Sequence, residues 1–296
     1  MHRNANDNML PAIKVEQKIE IGGVCCSIGF LDGFFKKEFA SIFSDYRRWG
    51  FSSEGNPEIG IMVKEGRVEA PRRLKEYVFY HIVDYDSVYA TLAFDTRSFE
   101  GEIGFSIKRG DRFTPVRIVE LTETFIFNAY LFYFHLNDIG TFVHSCGIVD
   151  GENGYLFAGP GGEGKSTIAS LSLPRTILCD DVILLRKNDK GRRLVFGTPF
   201  SGDHGSVNGG AECKGIYFIR KSSINELVAT SLIDGTVELM REGVMGGFMS
   251  IDGIQRIYPQ SRLFDFLLDL LSGVPCFRMK FKKDDSFWKV INEHED

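Results

Sequence analysis

The chain is 296 residues long, 43% hydrophobic, 13% aromatic and 25% charged, a composition that packs a core and excludes a disordered or fibrous chain. Its formal net charge of −5 argues against a dedicated nucleic-acid binder, which carries a positive excess to neutralise phosphates. The length fits one large domain or two smaller ones, because single cores stop growing at roughly 250 to 300 residues.

The six cysteines, Cys25, Cys26, Cys146, Cys179, Cys213 and Cys276, lie far apart except for one adjacent pair. They give neither the ligand spacing of a metal site nor a disulfide framework, and predict reduced thiols in a cytoplasmic protein. The amino-terminal stretch is polar and lacks the apolar run of a signal peptide. The longest apolar run, 125–136, is shorter than the ~20 residues a membrane helix needs and contains Asn128 and His135, so it predicts a buried helix and no membrane partner.

In chain order, residues 13–31 alternate apolar and polar around Gly22-Gly23, the pattern of a two-stranded hairpin. Over 34–49 the period changes: Phe35, Phe39, Ile42, Phe43, Tyr46 and Trp49 recur at three- and four-residue steps, which predicts an amphipathic helix. Residues 58–108 hold short runs rich in Val, Ile, Tyr and Phe separated by Gly, Asp and Ser, which predicts a sheet of short, mostly antiparallel strands. A long helix is expected from about Pro115 to about Asn137, since proline is tolerated in a first turn and the next breaker is Gly140. From 141 to about 220 the pattern reads strand, glycine-rich loop, helix, a strand ending in paired acids, and further strands. Arg186, Lys187, Lys190, Arg192 and Arg193 flank a predicted hairpin turn at Asn188-Asp189-Lys190-Gly191 and read as a solvated tip. Residues 259–272 have a helical period, Phe277, Met279 and Phe281 alternate as a strand, and Asp284 or Asp285 is placed to cap a last helix through Ile291. These patterns divide the chain into a smaller amino-terminal β-rich α+β domain over 1–112 and an α/β domain over 113–296.

The second domain carries the chemistry. Tyr155-Leu156-Phe157-Ala158 runs into a Gly159 to Thr167 segment, GPGGEGKST, and then into a helix-compatible stretch, which is the phosphate-binding P-loop pattern in its strand-loop-helix context. The residue types follow from the task. Gly159, Gly161, Gly162 and Gly164 let backbone N–H groups curl around phosphate oxygens where a side chain would obstruct them. Lys165 reaches the outer phosphates, the Ser166 hydroxyl completes Mg²⁺ coordination, and Thr167 closes the motif. The positive end of the following helix adds to the same site. The plainer alternatives are a glycine-rich turn before a helix, or a loop that holds nucleotide without turning it over.

Next comes an apolar strand, Thr176-Ile177-Leu178-Cys179, ending in Asp180 and Asp181. Successive strand residues face opposite sides, so at most one acid faces the loops unless the strand is already breaking. Two adjacent ionised carboxylates in a half-buried place repel and need a cation or a proton. A phosphate-bound Mg²⁺ supplies that cation, giving one acid a metal role and leaving the other beside the acceptor hydroxyl. The plain alternative is a solvated Asp-Asp turn. His144, in the strand pair leading to the loop, reads either as a structural histidine or as a partner in the site. The turn-rich stretch 198–204 adds Asp203 and His204, either facing the same site or on an ordinary surface turn. Asp203 joins Ser166 and Asp180 as a candidate metal ligand.

A histidine ahead of a P-loop, followed by a strand ending in Asp-Asp, resembles the HPr kinase/phosphorylase family, which is related in fold to the ATP-dependent phosphoenolpyruvate carboxykinases. The segments HSCGIVDGENGYLFAGPGGEGKSTIASL, ILCDDVILLR, GTPFSGD, KGIYFIRKS and VPCFRMKFKKDDSFWKVI carry the resemblance over roughly residues 115–296. It implies an α/β P-loop fold on a mixed sheet, with Lys165 and Ser166 holding nucleotide and metal and Asp180 assisting Mg²⁺. It further implies Asp181 as general base on a serine hydroxyl and His144 as its supporting partner. Two features depart from the family pattern: Glu163 inside the cradle, and the lack of a glutamate-arginine-glycine signature after the acid pair. Both turn the expectation away from HPr itself and from the reverse phosphorylase reaction.

The sequence therefore predicts a cytoplasmic, Mg²⁺-dependent kinase that uses ATP or another nucleoside triphosphate and phosphorylates a hydroxyl, with serine of a protein or peptide as acceptor. Two other readings stay open: a non-catalytic nucleotide-binding regulatory or scaffold protein, and a small-molecule kinase acting on a free serine-type alcohol. No pattern fixes the oligomeric state, so homo-oligomerisation is open as well.

Overall fold

The computed structural model describes residues 15–31, 33–69, 78–85, 88–107, 115–200, 205–242 and 258–295. The alternating start forms the expected hairpin: β1 (Val15–Ile21) pairs antiparallel with β2 (Val24–Phe30), with Ile21 opposite Val24. Gly22 and Gly23, at φ of 57° and 79°, make the two-residue turn, a conformation that residues with a Cβ rarely adopt. Helix α1 (Gly33–Arg48) follows, burying Phe39, Phe43 and Tyr46 along one stripe.

That helix carries the chain across to β3 (Ile59–Glu65), which lies parallel to β2. The next three strands, β4 (Val78–Tyr85), β5 (Val88–Asp95) and β6 (Glu100–Ile107), pair antiparallel in succession, and β6 returns beside β3 in the parallel sense. The first sheet is thus ordered β1-β2-β3-β6-β5-β4. The expected antiparallel pattern holds for β4-β5-β6 and fails for β3, because a helical crossover, unlike a tight turn, lets the next strand run in the direction of the last.

Helix α2 (Pro115–Leu136) spans the predicted range and is shared between the two halves. Its Tyr130 hydroxyl donates to the Ile19 carbonyl at 2.9 Å in the hairpin, while Phe127 and Phe134 pack on Phe142 of the second sheet, at ring separations of 4.7 and 5.7 Å. The apolar run 125–136 is accordingly a buried helix, and no described helix is long and apolar enough to cross a membrane.

The second sheet is built from β7 (Gly140–Asp150), β8 (Asn153–Ala158), β9 (Thr176–Cys179), β10 (Val182–Lys187), β11 (Arg193–Gly197), β12 (Gly210–Lys221), β13 (Glu226–Ala229) and β14 (Cys276–Phe281). Their order is β11-β10-β7-β8-β12-β14-β13, with β9 on β7. A further β11–β12 pairing curls the first five strands of that order toward a closed ring. The strands β8, β12 and β14 run parallel to one another.

Strand alternation sorts the core into two layers. Leu156, Ile216 and Phe218 face helices α4 (Leu232–Glu242) and α5 (Gln260–Leu271), which contribute Leu239, Leu263, Leu267 and Leu270. Tyr155, Phe157, Tyr217 and Ile219 face α3 (Lys165–Leu171) and α6 (Phe287–Glu295), which contribute Ile168, Ala169, Phe287, Trp288 and Ile291. Covered on both sides, β8 reads as an unbroken apolar run, and each large side chain so buried contributes about 1.5 to 3 kcal/mol.

The 188–191 hairpin tip is present, with the Asn188 side chain accepting the Lys190 and Arg192 N–H groups. Helix α6 runs to Glu295, beyond the expected end at Ile291. The chain is mixed α/β, with two mixed sheets and six helices among the described residues.

Candidate functional site

The glycine-rich loop leaves the carboxyl end of β8, beside β12. Its glycines serve two needs. A Cβ on Gly159 would come within 2.9 Å of the Ile219 side chain and 3.0 Å of the Ile219 carbonyl, so this residue permits close packing on β12. Gly164, at φ 105°, starts α3, and a Cβ there would meet the Phe281 ring at 2.7 Å. Gly161 and Gly162, by contrast, have no neighbouring atom within 4 Å of a Cβ position: they border open space.

Lys165 opens α3 and is 8% exposed. Its Nζ donates to the carbonyls of Gly159 at 2.9 Å and Pro160 at 3.3 Å, folding the loop over its own lysine. Burial pushes the ammonium pKa down, and the nearby Asp181 carboxylate draws it back up. Glu163, which the sequence places inside the cradle, is turned outward: its carboxylate accepts the Lys221 backbone N–H at 2.9 Å at the end of β12.

Asp180 and Asp181 occupy the bend between β9 and β10, where strand alternation no longer separates them. Asp180 is 3% exposed. Asp181 is more open, and its Oδ1 lies 3.1 Å from His144 Nε2. Strand register produces this pair: on β7, His144 stands opposite Val182, and the next residue, Ser145, donates its N–H to the Asp181 carbonyl at 2.9 Å. The His144 hydrogen bond holds the Asp181 carboxyl below the ordinary value of 3.8; burial opposes this shift, and the charges of His144 and Lys165 reinforce it. Asp181 is therefore ionised at neutral pH.

The acid bend is braced from behind. Thr198 Oγ1 donates to the Val182 carbonyl at 2.8 Å, Ser206 Oγ to the Leu178 carbonyl at 3.0 Å, and the Val207 N–H to the same Leu178 oxygen at 2.9 Å. Thr198 belongs to the loop noted for its turn residues; Asp203 and His204 of that loop lie outside the described residues.

Of the residues expected from sequence, Gly161, Gly162, Gly164, Lys165, Ser166, Thr167, His144, Asp180 and Asp181 line one cleft of about 470 Å³. Gly159 lies behind the loop, packed on β12. Lys221 is a second cation in the same cleft that no sequence pattern points to, because its place follows only from the pairing of β12 with β8.

Among the described residues no three His, Cys, Asp or Glu side chains converge as a metal cage. One hydroxyl with one or two carboxylates is nevertheless a donor set suited to Mg²⁺, which keeps several waters and takes other ligands from substrate phosphates. Ser166 and Asp180, beside the open space over Gly161 and Gly162, fit a Mg²⁺-bound phosphate chain. Against known proteins, the chain matches no family model and no curated protein sequence.

Proposed function

We propose that the chain is a Mg²⁺-dependent kinase of the HPr kinase/phosphorylase-like type, using ATP or another nucleoside triphosphate to phosphorylate a hydroxyl, with serine of a protein or peptide as acceptor. In this reading residues 113–296 form the P-loop domain. The observation that carries it is the meeting, in one cleft, of Lys165 from the P-loop with the Asp181–His144 pair from two other strands.

The geometry supports the following roles. The loop amides and Lys165 bind the phosphate chain. Lys165 exchanges its two carbonyl partners for phosphate oxygens, which are stronger, charge-assisted acceptors. Ser166 and Asp180 would hold Mg²⁺, which would neutralise charge on the phosphates when bound. Asp181, kept ionised, accepts the hydrogen bond of the acceptor hydroxyl and takes its proton, and His144 holds Asp181 in place. A carboxylate is a sufficient base because phosphoryl transfer is loose and depends on positioning and charge neutralisation more than on strong deprotonation.

Replacing Lys165 with Met tests the assignment. Incubation with labelled ATP and host-cell extract should show transferred label for the parent chain and a loss of about 100-fold or more for the variant, with the fold retained. Equal transfer by both chains sinks the kinase reading. Nucleotide binding with no transferred label by the parent identifies a nucleotide-sensing scaffold instead.

A further inference from the structure

β12 outruns β8 at the loop end of the second sheet. Ala158, the last residue of β8, stands beside Phe218, and β12 continues for three more residues to Lys221. Residues two apart on a strand share a face, so Lys221 lies on the same side of the sheet as Ile219, which packs against α3. The other edge of β8 is flanked by β7, where Ser145 stands beside Ala158 and the preceding His144 meets Asp181. The glycine-rich loop therefore rises between two flanks, with the acids and a histidine on the β7 side and Lys221 on the β12 side.

The surroundings of Lys221 fix its backbone and leave its head group open. Its N–H donates to the Glu163 carboxylate at 2.9 Å, which ties the end of β12 to the loop. Its stem passes close to Gly164: a Cβ there would lie 3.3 Å from Lys221 Cε, and 2.7 Å from the ring of Phe281, the register partner of Lys221 on β14. The bare glycine thus leaves room for the stem on its way to the cleft, which Lys221 lines together with Gly161, Gly162 and Lys165.

Lys221 is exposed, and among the described residues its ammonium group has no carboxylate or hydrogen-bond partner. Neighbouring lysines differ: Lys280 pairs with Glu226 and Lys282 with Asp284, each at 2.7 Å. Glu163 bonds the Lys221 backbone and not its ammonium. Lys165 and the loop amides suffice for a single phosphate group. A second, unpaired cation on the flank of the loop matches a longer polyanion, since each ammonium gains charge-assisted bonds from a different phosphate.

We propose that Lys221 binds the phosphate chain of the nucleotide from the flank opposite Asp180 and Asp181, as a second cationic ligand beside Lys165. This rests on reading the cleft as a nucleotide site and is independent of whether a phosphoryl group is transferred.

The test is fluorescence anisotropy on the full chain with an ATP analogue labelled on the ribose, in the presence of Mg²⁺, for the parent and a charge series at position 221. Lys221→Met should weaken binding about tenfold or more, and Lys221→Glu should weaken it further. Lys221→Arg, which keeps the charge, should stay within about threefold of the parent. The gap between parent and Met variant should narrow as salt rises, because an ion pair open to solvent is screened. Thermal midpoints should match across the series, since the side chain is exposed.

A Met variant that binds like the parent, or Met and Arg variants that are equally weak, overturns the proposal and leaves the nucleotide site standing. A gap that salt does not change also overturns it, placing Lys221 on the uncharged base or ribose. A parent chain that binds no nucleotide removes the reading of the cleft, and this proposal with it. A parent that binds nucleotide with the expected charge series and transfers no label removes only the kinase reading.

Discussion

Each sheet contains a block of three adjacent parallel strands, β2-β3-β6 in the first and β8-β12-β14 in the second, and the two blocks are used differently. Parallel strands end together, and ligands of α/β sheets gather at those carboxyl ends. In the first block Gly60 and Gly104 serve packing: a Cβ on Gly104 would meet the Gly66 carbonyl at 2.5 Å and the Val68 nitrogen at 3.0 Å, and the Glu100 side chain fills the corresponding place at Gly60, while Gly66, just past β3, borders open space. In the second block Gly161 and Gly162 border empty space, with two lysines and two carboxylates around it. Shared topology provides an edge. What sets the 159–167 loop apart is the charge that converges on its open glycines, since Gly66 past β3 is open as well.

The largest expected effect separating the blocks is chemical. Asp181→Asn removes the ionised acceptor while keeping its size, and phosphoryl transfer should fall about 10²- to 10⁴-fold with nucleotide affinity little changed. Rates of label transfer and a nucleotide titration measure the two quantities. A collapse of affinity alongside the rate would make Asp181 the metal ligand and shift the base role elsewhere. The pH dependence has a defined sign. Because the folded carboxyl pKa is lowered, its contribution to stability is complete above the ordinary value of 3.8 and is lost as pH falls below it. The Asn variant should lack that component of acid destabilisation.

A smaller effect tests the use of glycine directly. Gly104→Ala forces a methyl group against backbone that cannot yield, and should cost about 1 to 3 kcal/mol, read as a lower thermal midpoint with nucleotide affinity intact. Gly161→Val should do the reverse. It has room for its side chain, so stability holds, but losing one charge-assisted bond to phosphate weakens nucleotide by about tenfold or more. If Gly161→Val binds nucleotide as tightly as the parent, the open space is not where the phosphates sit.

Much of this contrast was legible in the sequence, and the limits are physical. Period-two and period-3.6 patterns anticipated the β1–β2 hairpin, α1, α5 and β14, whereas α2, packed between the two sheets, was legible from its opening Pro115, its long apolar run and the distance to the next breaker, Gly140. The glycine-rich loop was legible because its pattern is local: glycines, a lysine and a hydroxyl within nine consecutive residues. Strand direction was not local, which is why β3 was expected among antiparallel neighbours. Lys221 takes its place from the register of β12 against β8, and Thr198 and Ser206 brace the acid bend through contacts between distant segments. Helix α4 was hidden by Gly235, a poor helix former that is needed there because a Cβ would come 3.0 Å from Cys276.

The smallest effect concerns Glu163, the acid that departs from the family pattern. Its carboxylate, bonded to the Lys221 N–H, leaves the loop open but still places a negative charge close to where phosphates would lie. Glu163→Gln retains an acceptor oxygen for that N–H and deletes the charge. The repulsion relieved is about 0.5 to 1 kcal/mol for partly solvated charges several ångströms apart, so nucleotide should bind roughly two- to fivefold tighter at low salt. The gain should shrink as ionic strength rises. Glu163→Ala removes the charge and the hydrogen bond together. If Gln tightens binding and Ala does not, the bond to β12 holds the loop in its open shape; if Gln weakens binding, the carboxylate works with the nearby lysine rather than against the phosphates.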